Sequence, residues 1–478
     1  MGDLVLTAER SVAEPLASAF ERFGHASGGG WLFGLSCDVV APGAVVRFSM
    51  PGPASQAPIQ STGRIVEVDS GRRLVLHQES PWRSRVVLTF DPDGAGTRVR
   101  LRAVLADDCV PWLMRASGLE VPEPAEFGRA VRVGVLLPLS GAAGMFGRAA
   151  HNAGELAVDE LNADGGIRGV PLRLYVGDDG TNRATARREF IRLVDLVGCD
   201  VVIAMTTSES MAAVRPLAEA RGTLLLHAPA SEGGPAGDRI FYLGERPADQ
   251  LEHSVPLLMA ETGGRGWFIV GNDYSWPRGV ARAARRVIDD AGGVLLGERY
   301  LPLGCQDFTA VLTAIQATGA DHLISALVGT DAVAFERASF AAGLRARVRT
   351  IAMLVDDVCR EHIGDDAATG IWSVLDHFTA LDDVDNQRLQ RRWRQRFGLF
   401  APPLSSTAKS VYDVVRLYAG AARAARSVDP ADVARTLRIS RGRGRRTGAM
   451  LPRVLGEPHR TCIAEAVQGG FVVREAPA

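Results

Sequence analysis

Residues 131–139 read VRVGVLLPL, and the segments that follow this stretch decide the fold. An unbroken apolar run of this kind is typical of a parallel strand that is buried on both faces. A glycine-rich loop, SGAAGMFG, comes next, and a helical segment follows it, RAAHNAGELAVDELNADGG. The same alternation recurs up to residue 355, through the strands LRLYVGDD, DVVIAMTT, TLLLHAP, GWFIVGND, VLLGERYLPL, HLISALVG and RTIAMLV. This order predicts an α/β fold of doubly wound parallel sheets with right-handed crossovers.

The strands are too many for one sheet of ordinary size, so two lobes are predicted. The first lobe takes residues 131–245 and 379–440, and the second takes 250–375 and 447–478. The later segments of the chain would therefore return to complete both lobes.

Residues 1–120 have a different pattern, which predicts a separate α+β domain. A strand, DLVLTAER, and a helical segment, SVAEPLASAFERF, precede a meander of strands: AVVRFSM, GRIVEVD, RLVLHQE, SRVVLTFD and RVRLRAVL. Residues 121–130 are rich in proline and charge and are interpreted as a linker.

Composition excludes several classes of function. The 478 residues carry a net charge of −1, which does not favour nucleic acid as a partner. The six cysteines form no CxxC pair and the histidines no HExxH motif, so we expect free thiols, no metal and no cofactor. An arginine-rich stretch at 438–450 is interpreted as a solvated loop, with an RNA contact as the alternative.

The N-terminal sequence MGDLVLTAERSVAEPL is interrupted by charges and has no basic segment before an apolar one. It is not typical of a signal peptide, and no run of about 20 apolar residues predicts a membrane span. The expectation is a cytoplasmic protein; the alternative is export from an upstream start.

Several loops follow the carboxyl ends of predicted strands, where open parallel sheets bind ligands. They are SGAAGMFG, MTTSES at 205–210, APASEG at 228–233, GNDYSWPRG at 271–279 and VGTDA at 328–332. Small polar residues beside the aromatic Tyr274 and Trp276 predict a small-molecule cleft. Packing of both aromatics against a neighbouring loop is the alternative.

Ser208 is the leading polar candidate, because it opens the helical segment ESMAAVRPLAEA at the expected N-cap. Unpaired N–H groups and the helix dipole would favour a ligand carboxylate or amide oxygen there. A simple capping role for Ser208, and a turn role for Thr206, stay open.

The stretch VRVGVLLPLSGAAGMFGRAAHNAGELAVDELNADGGIRGVPLRLYVGDDG resembles the opening of type I periplasmic binding proteins of the leucine/isoleucine/valine family. The segments GNDYSWPR and GEPHRTCIAEA resemble a branch with urea and short-amide receptors and the cytoplasmic amide sensor of amidase operons. This resemblance covers residues 131–475 and implies two lobes, joined by three crossovers, that close on a ligand. The ligand contacts that it implies are Thr206, Ser208, His227, Pro229, Tyr274, Trp276, Thr330 and Asp331.

The N-terminal segments GRIVEVDSGRRLVLHQE and SRVVLTFDPDGAGTRVRLRAVL are similar to the helix-grip superfamily of polyketide cyclases, START-like (SRPBCC) lipid binders and Hsp90-activator-like domains. That resemblance implies a domain that holds an apolar ligand or a protein partner.

Three functions follow from these patterns. The first is a non-catalytic intracellular sensor that binds a small amide, urea derivative or amino acid. The second is the substrate-binding protein of an ABC importer. The third is a helix-grip domain with cyclase or hydrolase activity that the two-lobed part regulates. The oligomeric state, including a homo-oligomer, is left open.

Overall fold

The computed structural model describes residues 4–23, 35–50, 58–117, 119, 130–235, 237–439 and 461–475. The chain divides into two compact units. One consists of Met1–Ala125 with Leu139–Arg148, and the other of Glu126–Pro138 with Ala149–Ala478. The linker predicted at 121–130 lies outside the described residues except for residue 130.

The first unit is a sheet of seven antiparallel strands in the order β1-β7-β6-β5-β4-β3-β2. The strands are β1 Leu4–Val12, β2 Ser36–Cys37, β3 Val45–Met50, β4 Ile59–Asp69, β5 Arg73–Ser80, β6 Ser84–Asp93 and β7 Gly96–Leu105. Two short helices accompany them, α1 Leu16–Glu21 and α2 Cys109–Ala116. Because these helices have only 6 and 8 residues, the unit is mostly strand, and the helix-grip assignment stays a prediction.

The helix predicted from Ser11 begins later than expected. Strand β1 continues to Val12, since it pairs with β7 along its whole length and the Ser11 hydroxyl donates to Asp93 at 2.7 Å. Pro15 then occupies the N-cap of α1, so the helical segment is confined to the residues after it. Tertiary pairing with β7 therefore overrides the local helical pattern.

The first lobe of the second unit has a parallel sheet in the order β12-β11-β10-β8-β9. Its strands are β8 Val131–Leu137, β9 Leu172–Asp178, β10 Val201–Ala204, β11 Leu225–His227 and β12 Ile240–Tyr242. The helices between them are α3 Gly147–Ala163, α4 Arg183–Ile191 and α5 Ser208–Arg221. All of β10 and nearly all of β8 are buried, as the continuous apolar runs predict.

The second lobe has a sheet of seven strands in the order β14-β13-β15-β16-β17-β18-β19. The strands are β13 Gly266–Asn272, β14 Val294–Leu301, β15 His322–Ala326, β16 Arg349–Ala352, β17 Trp372–Leu375, β18 Cys462–Val467 and β19 Gly470–Glu475. The helices are α6 Pro247–Thr262, α7 Ser275–Asp290, α8 Thr309–Thr318, α9 Thr330–Ala341, α10 Asp357–Ile363 and α11 Asp365–Ala368. Among the described strands of this sheet, the pairings of β17 with β18 and of β18 with β19 are antiparallel and the others are parallel. The α/β class and the parallel sheets are thus confirmed.

Three later helices return to the first lobe. They are α12 Val384–Phe397, α13 Ser406–Ala425 and α14 Pro430–Ile439. The Tyr412 hydroxyl of α13 donates to Glu160 of α3 at 2.6 Å, and Arg396 of α12 pairs with Asp159 at 2.8 Å. The arginine-rich stretch predicted as a loop lies outside the described residues after Ile439.

Two of the connections between the lobes are tied to each other by Glu245. This carboxylate, only 3% exposed, accepts a hydrogen bond from the backbone N–H of Asp376 at 3.0 Å. The Ser406 hydroxyl lies 3.4 Å from the same oxygen and donates to Asp376 at 2.7 Å. Glu245 follows β12 and Asp376 follows β17, so one buried group joins the first and second crossovers.

Replacing Glu245 should therefore weaken the fold of the second unit. We expect Glu245→Ala to lower the free energy of unfolding by about 1 to 3 kcal/mol, since it leaves a buried N–H without an acceptor. Denaturant unfolding of the full chain measures this change. The matched control is Glu252→Ala, at a side chain that is 56% exposed. Equal losses in the two variants would contradict the role of Glu245.

Candidate functional site

The polar loops at the carboxyl ends of the first-lobe strands lie where the sequence places them. Strand β10 ends at Ala204, and α5 begins four residues later at Ser208. Thr207, not Ser208, is the N-cap, because its side chain accepts from the backbone N–H of Ser210. The expected N-cap is therefore displaced by one residue, and the Ser208 hydroxyl is available for another contact.

That contact is made with a residue that the sequence analysis did not single out. The Ser208 hydroxyl donates to the carboxylate of Glu232 at 2.6 Å. Glu232 belongs to the loop after β11, within the quoted segment APASEG. An acidic residue in a glycine-rich loop usually remains in solvent, so no sequence signal distinguished it. The pairing joins two strand-end loops of the first lobe.

Thr206 lies in the loop that leads to Ser208. Its side chain is 5% exposed, and its hydroxyl has no hydrogen-bond partner among the described residues. A buried hydroxyl without a partner is unfavourable unless something else satisfies it. Thr206 is therefore a plausible contact for a bound molecule.

Tyr274 brings the second lobe to the same region. It is the N-cap of α7, and its ring is half-buried. Burial raises the pKa of the Tyr274 phenol, and the negative charges of Glu232, Asp331 and Glu209 raise it further. Two of these carboxylates belong to the first lobe, so the phenol lies close to the loops that carry Glu232 and Ser208.

Gly279 shows how closely the lobes approach. A Cβ placed on this residue of α7 would lie 2.5 Å from the Cβ of Glu232, well inside van der Waals contact. Because only a glycine fits, the Glu232 side chain packs directly on the α7 backbone. The two lobes therefore touch at Glu232.

Trp276 occupies the first turn of α7 and is only 2% exposed. Its indole N–H has no hydrogen-bond partner among the described residues. This degree of burial fits both interpretations of the sequence, a cover for a ligand and packing against a neighbouring loop.

Asp331 is buried and already has several hydrogen-bond donors. Its carboxylate accepts from the Asn272 side chain at 2.6 Å and from the backbone N–H groups of Gly304 and Cys305 at 2.8 and 3.2 Å. Burial raises the pKa of Asp331, although these hydrogen bonds oppose the shift. The Thr330 hydroxyl lies 3.4 Å from its other oxygen. Asp331 thus ties together three loops of the second lobe, and its contact with a ligand stays a prediction.

His227 and Pro229 pack inside the first lobe, unlike the polar residues of the strand-end loops. The His227 ring is fully buried, donates from Nε2 to the backbone oxygen of Thr206 at 3.0 Å and packs edge-on against Tyr242. Burial lowers the pKa of His227 to about 4, so the ring is neutral near pH 7. The Pro229 carbonyl packs on Gly244, where a Cβ would lie 1.9 Å from its oxygen. His227 therefore supports the Thr206 loop from within the first lobe.

A family model described as periplasmic binding protein matches residues 130–441. The chain belongs to the periplasmic binding protein family. Members of this family bind small molecules and are not enzymes.

Curated relatives support the leucine/isoleucine/valine-binding branch. The chain is similar to Leu/Ile/Val-binding protein homolog 8 of Brucella abortus, with 27% identity over 232 residues, which are 45% of this chain and 56% of that protein. Homolog 3 of Brucella melitensis is 23% identical over 195 residues, 40% of this chain and 52% of that protein. The chain thus spans about half of the length of these relatives.

Solved structures show the same fold. A branched-chain amino acid transporter substrate-binding protein from Streptococcus pneumoniae, in complex with isoleucine, has a TM-score of 0.62 at 18% identity, over 73% of this chain and 99% of that one. An ABC transporter solute-binding protein from R. palustris, in complex with benzoate, has a TM-score of 0.60 at 20% identity, over 73% and 97%. At such identities the likeness shows the fold alone.

Two further findings concern the described residues only. None of their helices is both long and apolar enough to cross a membrane. The six cysteines are all free thiols.

Gly279→Ala should separate the lobes at their point of contact. The added methyl group would collide with the Cβ of Glu232, while alanine is favourable within a helix. We expect faster hydrogen–deuterium exchange in peptides covering 228–235 and the start of α7, with an unchanged melting temperature. Gly470→Ala is the control, because nothing lies within 4 Å of the Cβ built there. Exchange as slow as in the unmodified chain would contradict the contact.

His227 should make stability depend on pH. Its folded pKa of about 4 lies below the unfolded value near 6.5, so its contribution is complete above pH 6.5 and is lost as pH falls toward 4. The unfolding free energy of the unmodified chain should therefore fall by about 3 kcal/mol relative to His227→Gln between pH 7 and 4. Parallel pH profiles of the two proteins would show that the histidine is not held neutral.

Proposed function

We propose that this protein is a substrate-binding protein of an ABC importer that closes its two lobes on a small polar ligand. The ligand classes are those that the sequence resemblance implies: an amino acid, a short amide or a urea derivative. The observation that carries the proposal is the meeting of Ser208 and Glu232 in the first lobe with Tyr274 and Gly279 in the second. Polar loops beside an aromatic wall are typical of small-molecule sites.

Closure on a ligand is a shift between two populations, so it requires the ligand to bind the closed form better than the open form. Contacts from both lobes supply that difference, because they can be made together only when the lobes meet. The Thr206 hydroxyl and the Tyr274 ring belong to different lobes and fulfil this condition. The crossovers joined by Glu245 would serve as the hinge.

A second candidate is a cytoplasmic sensor whose ligand-bound state is read by another protein. The observation that favours it is the separate unit formed by residues 1–125 and 139–148, with its sheet of seven strands. In this role the N-terminal unit would bind an apolar ligand or a protein partner. Fractionation of the natural host cell distinguishes the candidates: protein in the periplasm supports the importer, and protein confined to the cytoplasm supports the sensor.

A thermal-shift screen of the full chain tests ligand binding. A molecule that binds only the folded form must raise the melting temperature. The screen should contain small amides, ureas and amino acids. We expect a hit whose affinity falls by about 1 to 2 kcal/mol in Ser208→Ala, because the half-buried carboxylate of Glu232 loses its hydrogen-bond donor.

The control variant is Thr313→Ala, at an exposed position on α8. It should keep the affinity of the unmodified chain. Failure of every compound to raise the melting temperature of a folded protein would overturn the proposed function. Equal losses of ligand affinity in Ser208→Ala and Thr313→Ala would show that Ser208 is not part of the binding site.

A further inference from the structure

We propose that Glu232 makes the first-lobe side of the cleft a subsite for a positively charged nitrogen group, so that the protein selects ammonium or amidinium ligands over carboxylates. This inference rests on the proposed function and specifies its ligand chemistry. It reverses the polarity that the sequence suggests for Ser208, where a ligand oxygen was expected.

The hydroxyl of Ser208 has only one proton to donate. In the structure that proton is directed to Glu232, across 2.6 Å. The hydroxyl therefore presents only lone pairs to a bound molecule. A ligand carboxylate would meet the lone pairs of the Ser208 hydroxyl and the negative charge of Glu232, so it would be repelled. A ligand N–H group could instead donate to both the Ser208 hydroxyl and the Glu232 carboxylate.

The carboxylate of Glu232 is not neutralised by an ion pair. Among the residues that the structure describes, its hydrogen bond comes from Ser208 and no basic side chain lies within 4 Å of it. Glu209, at the start of α5, differs in this respect because it pairs with Arg183 at 2.8 Å. Glu232 is therefore the carboxylate of these two that has charge available for a ligand.

Arg246 is one competing cation, and it lies on the Gly233 side of the loop. A Cβ at Gly233 would be 2.0 Å from Nη1 of Arg246. The Arg246 guanidinium is part-buried, and its pKa is lowered by burial, with the charges of Asp249 and Glu232 opposing this shift. Its charge reduces the field of Glu232 without forming a close pair, and it would suit the carboxylate of a zwitterionic amino acid.

The second lobe brings a second arginine close to Glu232, since a Cβ at Gly279 would lie 3.6 Å from Nη2 of Arg282. Burial raises the pKa of the Tyr274 phenol, and the carboxylates of Glu232, Asp331 and Glu209 raise it further. The phenol therefore stays protonated, and its ring can pack against a cation. A positive group at this point would therefore have the Glu232 carboxylate on one side and the Tyr274 ring on the other.

Contact between the lobes would strengthen that preference. The Glu232 side chain packs against Gly279, so closure covers this part of the first lobe. Exclusion of water strengthens the attraction between a carboxylate and a cation, and it makes an uncompensated pair of carboxylates more costly.

Two sets of matched probes test the inference on the full chain. The first set is L-isoleucinamide, L-isoleucine and 3-methylpentanoate, which share an alkyl group and carry a positive, a zwitterionic and a negative charge. The second is benzamidine, benzamide and benzoate. Calorimetric titration and thermal shift should detect the amine- and amidine-bearing probes and not the two acids.

Glu232→Gln keeps the shape of the side chain and removes its charge. We expect this variant to lower the affinity for the cationic probes at least about tenfold, since a hydrogen bond to a charged group is lost. The matched control is Glu209→Gln, which should weaken their binding less than Glu232→Gln does, because Arg183 already pairs with Glu209 at 2.8 Å.

The outcomes separate this inference from the proposed function. Binding of the acids as tightly as the cations, or unchanged affinity in Glu232→Gln, would overturn the charge preference and leave a ligand-binding protein. Absence of any binding, by these probes and by the wider set of amides, ureas and amino acids, would overturn both.

Discussion

The whole site depends on one constraint, the burial of parallel strands within two separate sheets. Parallel strands send all their carboxyl ends to the same edge, so loops far apart in sequence become neighbours. In the first lobe this brings the loop after β10 to the loop after β11, where Ser208 donates to Glu232. In the second lobe it brings Asn272, at the end of β13, to Asp331 in α9. In each lobe, a side-chain hydrogen bond thus joins two loops at the carboxyl ends of the strands.

The contact between the halves has a simple physical basis. Only a residue without a side chain could lie at position 279, because the Glu232 side chain fills the space a Cβ would need. A charged group is therefore placed at the surface where the lobes meet. Among the described residues, this carboxylate accepts a hydrogen bond from a hydroxyl and has no basic side chain within 4 Å, although Arg246 and Arg282 lie nearby. Such an arrangement is unfavourable unless a ligand or solvent supplies a further partner. If only a positively charged ligand group relieves this unfavourable free energy, the site selects cationic ligands over anionic ones.

Most of the fold could be predicted because hydrophobic pattern and element order carry it. The runs in β8 and β10 are apolar throughout, and such runs have few alternatives to burial in a parallel sheet. The start of α1 could not be predicted in the same way, because pairing of β1 with β7 extends the strand through Ser11. The candidate site was predictable as a set of loops. Glu232 was not, since its role arises from one hydrogen bond and one close contact with residues 24 and 47 positions away.

The sequence by itself determined the class of the fold, the periplasmic binding protein family and the polar loops at the carboxyl ends of the strands. These features are local, or they repeat along the chain, so they are readable without coordinates. Tertiary structure alone decided which side chains meet: that His227 turns inward to the Thr206 carbonyl, that Asp331 ties three loops together, and that Ser208 directs its proton to Glu232. The reason is that hydrogen-bond direction and charge balance depend on distances between residues remote in sequence, and no pattern along the chain encodes those distances.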